Sequence, residues 1–153
     1  MGRPAAAALA LAALVAVAGC GSGGGVEKGA SVHVYVGSEL CPDARDPLLA
    51  ARGKAGDLEV RLVCLRPATA GTGRIDLAQV GANARRASED SAAVAFLEAP
   101  GRAAEFAAPI VAEAGIAFVA AADGASGMKR VLGAIEAAGD SGSPREEVEN
   151  ALG

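Results

Sequence analysis

The side chains of this sequence that could take part in chemistry stand mostly where predicted strands end. Ser38 and Glu39 follow the run SVHVYVG, Glu98 follows AVAFL, and Asp123 follows IAFVAAA. Carboxylates at the ends of neighbouring strands could share general acid–base work. Neither a nucleophile elbow nor a Walker A phosphate loop accompanies them after residue 30. We therefore predict that the chain is not an enzyme, and interpret these acids as solvated loop charges or as partners for a ligand's ammonium group.

The single histidine and the three cysteines favour structural roles over a metal or redox centre. His33 has no evident partner for catalysis, so we interpret it as a histidine that is hydrogen-bonded within the fold. Cys41 and Cys64 stand at or just beyond the carboxyl ends of two predicted strands. If those strands are parallel neighbours, a disulfide can form at their shared edge, and two free thiols are the alternative. No C-x-x-C motif is present, and we expect no metal and no cofactor.

Apolar runs alternate with amphipathic stretches along the chain, and these elements would position the residues above. The sequence predicts four strands, over Ser31–Gly37, Leu58–Leu65, Ala92–Leu97 and Ile116–Ala120. Helices are predicted from Pro42-Asp43 with Asp43 as the cap, from about Asp76 to Ser88, and over three later segments: 103–114, 124–138 and 144–152.

This alternation predicts an α/β fold, a three-layer sandwich in which helices flank a small parallel sheet of about four strands. Ligands of such sheets bind outside the carboxyl ends of the strands. The candidate rim therefore consists of four segments: Gly37–Cys41, Leu65–Ala68, Glu98–Gly101 and Ala120–Gly124. Thr69, which follows the second of these segments, adds a hydroxyl group.

Composition limits the classes of partner. The 153 residues carry a net charge of −4 and no tryptophan, which is typical of one ordinary globular domain. No basic stripe or aromatic-basic cluster is present, so we do not expect nucleic-acid binding.

The first 30 residues resemble an export signal rather than a folded element. Arg3 precedes an apolar run over 5–17, and Val17-Ala18-Gly19-Cys20 closes it. A charged start, a short apolar core and small residues at the cut are typical of a secretory signal. The last four residues resemble the lipobox of bacterial lipoproteins, which implies a signal peptide over 1–19, lipidation of Cys20 and a glycine-rich tether over 20–30. A plain secretory signal is the alternative. The expected location is extracytoplasmic, anchored to the bacterial cell membrane.

Three later segments resemble a known family. Residues 81–90, GANARRASED, followed by AVAFL, resemble the first lobe of type 1 periplasmic binding proteins, the branched-chain amino-acid receptors of ABC importers. Residues 108–116, APIVAEAGI, resemble the helix that follows in that lobe, and residues 128–152 resemble the family's closing segment. Their order and spacing carry the resemblance, which covers most of residues 31–153.

The resemblance implies a single lobe of that fold over residues 31–153 and a role as a membrane-anchored, extracytoplasmic solute-binding protein. Its implied partners are an amino-acid-like ligand and an ABC permease or another membrane protein. The family holds its ligand on the loops after the third and fourth strands. Together with the rim residue Ser38, the matching positions give the candidate ligand-binding residues: Ser38, Glu98, Ala99, Pro100, Gly101, Ala121, Ala122 and Asp123.

The chain also departs from that family. Family members close two lobes around the ligand, whereas this sequence carries one lobe and then the terminal helices. The matching loops lack the family's hydroxyl groups. A single lobe also buries little of a small ligand, so we expect weak affinity. The alternative function is a degenerate, lipid-anchored protein-interaction module without small-ligand binding. An apolar patch left by the missing lobe would favour self-association.

Overall fold

The computed structural model describes residues 31–69, 71, 73–139 and 144–153. The predicted signal peptide over 1–19, the lipidation of Cys20 and the tether over 20–30 lie outside the described residues. Among the helices that are described, none combines the length and the apolar character needed to cross a membrane.

Strands and helices alternate along the described chain. The strands are β1 (Ser31–Val36), β2 (Lys54–Ala55), β3 (Leu58–Cys64), β4 (Ala93–Glu98) and β5 (Ala117–Ala120). The helices are α1 (Cys41–Ala50), α2 (Leu77–Ser88), α3 (Arg102–Glu113), α4 (Gly124–Ala138) and α5 (Pro144–Leu152).

The strands form one five-stranded sheet in the order β2-β3-β1-β4-β5. All pairs are parallel except β2 with β3 at the edge. The predicted α/β class and the four parallel strands are confirmed. The sequence did not predict β2, because two residues between Gly53 and Gly56 show no periodic pattern. Both glycines adopt positive φ, +70° and +58°, which lets the chain turn sharply around this short strand.

The side chains of β1 alternate between two hydrophobic cores, one on each face of the sheet. Val32, Val34 and Val36 are fully buried on one face, where α1, α4 and α5 pack. Tyr35 points to the opposite face, where α2 and α3 pack. Because successive side chains of a strand alternate between faces, this central strand supplies both cores. The result is a three-layer arrangement with helices on both sides of the sheet.

Glycines allow α4 to lie close to its neighbours. A Cβ atom at Gly124 would collide with the carbonyl oxygen of Leu40, just before α1. At Gly127 it would lie 2.5 Å from a methyl group of Leu97 on β4. These two positions therefore fix how closely α4 approaches α1 and the sheet.

Two predicted helix starts had different outcomes. The predicted start of α2 at about Asp76 is confirmed to within one residue: Asp76 is the N-cap, and its carboxylate accepts the N–H groups of Ala78 and Gln79 at 3.0 and 3.2 Å. Asp43 as a cap is wrong, because α1 begins two residues earlier, at Cys41, with Leu40 in the N-cap position and no side-chain cap. Pro42 fits the first turn, where its missing N–H costs no helical hydrogen bond.

Candidate functional site

A pocket of about 120 Å³ opens at the carboxyl edge of the sheet. We call it the rim pocket. Its walls come from the loops after β1, β3 and β4, from Asn83 on α2 and from the first turn of α3. The lining residues are Ser38, Glu39, Arg66, Ala68, Thr69, Ile75, Asn83, Glu98, Ala99, Pro100, Gly101, Arg102 and Ala103.

The strand order explains why the pocket lies there. From β1 the chain turns to α1 on one face of the sheet, and from neighbouring β4 it turns to α3 on the other face. The two connections diverge and leave a crevice between them, which is the usual ligand position in open α/β sheets. The rim pocket occupies this crevice.

Glu98, the last residue of β4, is the central side chain of the rim pocket. Its carboxylate lies directly against Gly37, where a Cβ atom would come within 2.8 Å of the carboxyl carbon. Within the described residues it accepts one hydrogen bond, from the Ala99 N–H at 3.0 Å. Burial, and to a smaller extent the charge of Glu39, raise the pKa of Glu98, and the Ala99 N–H offsets only part of that rise. The carboxylate is therefore short of stabilising partners.

The opposite wall is held by a buried amide. Asn83 on α2 is 7% exposed. Its side chain donates to the Arg66 carbonyl at 2.8 Å and accepts from Gln79 Nε2 at 3.0 Å. These bonds fix the loop after β3 against α2. Sequence analysis missed this role, although a polar residue on the same helical face as Val80, Ala84 and Ala87 indicates a buried hydrogen-bonding position.

The outer part of that wall is held by one backbone bridge and one side-chain contact of Thr69. Thr69 forms an antiparallel bridge with Ile75, and its hydroxyl donates to Glu39 at 3.5 Å. Ile75 is 39% exposed and adds an apolar surface to the pocket. Sequence analysis did not select Ile75, because a single aliphatic residue in a turn has no recognisable pattern.

The start of α3 brings positive charge to the same pocket. Gly101 occupies the N-cap position at φ +143° without a side-chain cap, and Arg102 and Ala103 line the pocket. The N-terminal N–H groups of a helix and its dipole favour anions. The lining residues therefore include two acidic residues and two arginines beside a helix N-terminus.

The structure brings together five of the predicted ligand-binding residues. Ser38, Glu98, Ala99, Pro100 and Gly101 all line the rim pocket.

The other three predicted residues, Ala121, Ala122 and Asp123, are not among the residues that line it. Asp123 instead caps α4, where its exposed carboxylate accepts the Ser126 N–H at 2.8 Å. That bond lowers the pKa of Asp123. The strands that precede Glu98 and Asp123 are neighbours, but the two carboxylates have different environments and different partners.

A second polar cluster lies at the amino edge of the sheet, and we call it the Asp90 cluster. Asp90 Oδ2 lies 2.6 Å from His33 Nδ1 and accepts the Tyr35 hydroxyl at 2.8 Å. Asp90 Oδ1 accepts the Ala92 N–H at 2.9 Å. The prediction that His33 is hydrogen-bonded within the fold is confirmed. Through these contacts Asp90 joins the loop after α2 to β1.

The Asp90 cluster shifts the pKa values of two of its members. Burial acts to raise the pKa of Asp90, but the hydrogen bonds from His33, the Ala92 N–H and Tyr35 together outweigh it, and the pKa is lowered. Burial and the hydrogen bond to Asp90 raise the pKa of Tyr35 to about 12. The phenol therefore stays neutral and donates to a charged carboxylate.

Arg145 extends this cluster to the last helix. From α5 its guanidinium donates to the carbonyl oxygens of Ala93 at 2.7 Å, Ala114 at 3.1 Å and Asp90. One side chain thus ties α5 to the starts of β4 and β5. No local sequence pattern indicates this role for Arg145, because its acceptors lie 31 to 55 residues away in sequence.

The predicted disulfide is confirmed. Cys41 and Cys64 are bonded, with their Cα atoms 5.7 Å apart and a sequence separation of 23. Val36 and Cys64 are partners in the β1–β3 ladder, which places the two cysteines at one edge as parallel pairing predicted. Closing a loop of this length contributes about 3 kcal/mol in the chain-entropy model.

Within the described residues, no three histidine, cysteine or acidic side chains form a group that could hold a metal ion. Comparisons with protein-family models, with curated proteins and with solved structures found no match to this chain.

Proposed function

We propose that this chain is a membrane-anchored, extracytoplasmic solute-binding protein that uses the rim pocket as its ligand site. The lipid anchor on Cys20 and the likeness to one lobe of a type 1 periplasmic binding protein are parts of the same proposal. The open α/β sheet and the position of the pocket at its carboxyl edge are consistent with that lobe.

The observation that carries the proposal is the environment of Glu98. A half-buried carboxylate with a raised pKa and, among the described residues, a single N–H donor is costly in an empty protein. A ligand ammonium group would neutralise it. Arg66, Arg102 and the start of α3 supply groups for a ligand carboxylate in the same pocket. Opposite charges in one small pocket fit an amino-acid-like zwitterion.

The pocket volume indicates weak binding. About 120 Å³ is well below the roughly 300–1,000 Å³ of pockets that enclose drug-sized ligands. A small ligand would remain partly exposed unless a second surface covered it. An ABC permease or another membrane protein would supply such a surface.

Thermal unfolding of the oxidised full chain, titrated with amino acids and small carboxylates, tests the proposal. A ligand at ten times its Kd adds about 1.4 kcal/mol, which corresponds to a Tm increase of about 4 °C for a domain of this size. We expect Glu98→Gln to abolish the increase. Glu105→Gln is the matched control, because Glu105 is exposed in the first turn of α3 and does not line the pocket. A ligand response that survives Glu98→Gln would contradict the assignment.

The alternative, a lipid-anchored interaction module without a small ligand, is favoured by one observation. Ile75, just before α2, and Phe106, on α3, are 39% and 42% exposed. Large apolar side chains at such exposure are typical of protein-contact surfaces when they cluster. A well-folded protein with no thermal response to any solute would favour this alternative.

A further inference from the structure

The disulfide joins two of the loops that line the rim pocket. Cys41 follows Ser38 and Glu39 of one wall, and Cys64 precedes Arg66 of another. With the bond intact, the start of α1 and the end of β3 are held together, with 5.7 Å between the two Cα atoms. The redox state of this bond therefore bears directly on the pocket.

The two cysteine residues differ in exposure and in charge environment. Cys41 is 4% exposed, whereas Cys64 is only half-buried. The guanidinium Nη2 of Arg45, an exposed residue on α1, lies 3.7 Å from Cys64 Sγ. An incoming thiolate is negatively charged, so both access and electrostatics direct it to Cys64.

The position of Cys41 suits a leaving group. It is the first residue of α1, a helix of 10 residues that has no side-chain cap. The N–H groups and dipole at a helix N-terminus stabilise a thiolate, and a better-stabilised thiolate leaves faster in disulfide exchange. Asp43, in the same turn, acts in the opposite sense, but it is exposed and its charge is screened by solvent.

We propose that Cys41–Cys64 is an exchangeable disulfide whose reduction by an external dithiol loosens the rim pocket. A thiolate of the dithiol attacks Cys64 Sγ and forms a new S–S bond there. The Cys41–Cys64 bond breaks, and Cys41 leaves with the electron pair as a thiolate that takes a proton from water. The second thiolate of the dithiol then displaces Cys64 from the mixed disulfide. The dithiol is oxidised by two electrons, and both protein cysteines end as thiols.

Reduction removes the covalent link between two pocket walls but leaves the β1–β3 ladder in place. The loops after β1 and β3 can then move apart, because no other disulfide joins them within the part of the chain that the structure describes. The exchange chemistry does not depend on the proposed solute-binding function. Only an effect of reduction on the affinity of the rim pocket for a ligand would rest on that function.

The direction of attack is tested by trapping the mixed disulfide. The oxidised full chain is mixed with limiting glutathione, quenched with acid, alkylated and mapped by mass spectrometry. We expect glutathione on Cys64 and the alkyl group on Cys41. Glutathione on Cys41 would overturn the assignment.

The role of Arg45 is tested by the rate of reduction with dithiothreitol. Removing one exposed charge near the attacked sulfur in Arg45→Ala is expected to slow reduction by about twofold to fivefold. Arg130→Ala is the matched control, because Arg130 is an exposed residue of α4 with no place in the rim pocket. Equal rates for the two variants would overturn the electrostatic part of the proposal.

Hydrogen exchange of the oxidised and reduced full chain tests the loosening without any ligand. We expect faster exchange at residues 38–41 and 64–69 on reduction, and unchanged exchange in α3. Unchanged exchange in the two loops, or a uniform increase in every element, would show that the bond is a purely structural crosslink. If no solute binds but these loops respond, the solute-binding proposal fails while the exchange proposal stands.

Discussion

Glu98 and Asp90 are both partly buried carboxylates at sheet edges, yet their surroundings differ in the number of hydrogen-bond donors. In the rim pocket, Glu98 accepts one N–H among the described residues, and its pKa is raised. In the Asp90 cluster, the carboxylate meets His33, Tyr35 and the Ala92 N–H, and its pKa is lowered. Burial acts in the same direction on both carboxylates. The opposite pKa shifts of the two carboxylates therefore come from the different numbers of hydrogen-bond donors around them.

The contrast separates a structural site from a candidate ligand site. A carboxylate whose acceptor capacity is used within the fold stabilises the fold and has little left to offer a ligand. A carboxylate that is desolvated and short of donors is the position where a ligand cation gains most. By this criterion the Asp90 cluster is a structural site, and the rim pocket is the proposed site of ligand recognition.

The largest expected effect is on stability in the Asp90 cluster. Asp90→Ala leaves the Tyr35 hydroxyl, on a residue that is 4% exposed, without its acceptor, and it removes the partner of His33. We expect the free energy of unfolding to fall by about 2–3 kcal/mol. Urea unfolding followed by circular dichroism measures it. Glu89→Ala, at the exposed neighbouring position, is expected to change it by less than about 0.5 kcal/mol. Equal effects of Asp90→Ala and Glu89→Ala would show that the Asp90 cluster does not stabilise the fold, and its contrast with the rim pocket would be lost.

The pH dependence of stability should have opposite signs at the two carboxylates. The folded-state pKa of Asp90 lies below its ordinary value of 3.8. Its contribution is therefore present at pH above 3.8 and lost as the pH falls through the folded-state pKa. The folded-state pKa of Glu98 lies above its ordinary value of 4.5. Its contribution is present below 4.5 and lost as the pH rises through the folded-state pKa.

Unfolding free energies of the wild type, Asp90→Asn and Glu98→Gln, measured from pH 2.5 to 7, test these signs. The difference between wild type and Asp90→Asn should shrink toward the acid end of the range. The wild type should lose stability relative to Glu98→Gln as the pH rises above 4.5, because the contribution of Glu98 is lost in that direction. Parallel curves for the two variants would contradict the inferred environments.

The smallest expected effect is at Glu98 itself at pH 7. Glu98→Gln removes a half-buried charge that has a single donor among the described residues, so we expect the free energy of unfolding to rise by about 0.5 kcal/mol, as substitutions at functional positions often do. Thermal unfolding of the ligand-free protein measures this change. A clear loss of stability would show that Glu98 has a structural role after all, as Asp90 has.

Periodicity predicted the elements of the fold well. The apolar runs in β1, β3, β4 and β5 and the amphipathic spacing in α2, α3 and α4 are local patterns, so their types were correct and their ends differed by a residue or two. The disulfide was also predictable, because parallel pairing of two strands brings their carboxyl ends to one edge. The start of α1 was misplaced because an aspartate after a proline resembles a cap, whereas backbone geometry set Leu40 there.

The candidate site was predicted only in part. Residues that follow β1 and β4 were correctly expected at the carboxyl edge. The wall around Asn83 was missed because its partners depend on how α2 lies against the loop after β3. Asp123 was expected beside Glu98 because both follow adjacent strands, but local capping of α4 uses its carboxylate.

The sequence by itself determined the alternation of strands and helices and the buried character of β4, because these follow from patterns within a few residues. Only the tertiary structure decided the strand order, which creates the crevice between β1 and β4. It also decided the Asp90 cluster, whose side-chain partners lie 55 and 57 residues away in sequence. No local pattern encodes such contacts, since they exist only after the sheet and its two helical layers have packed.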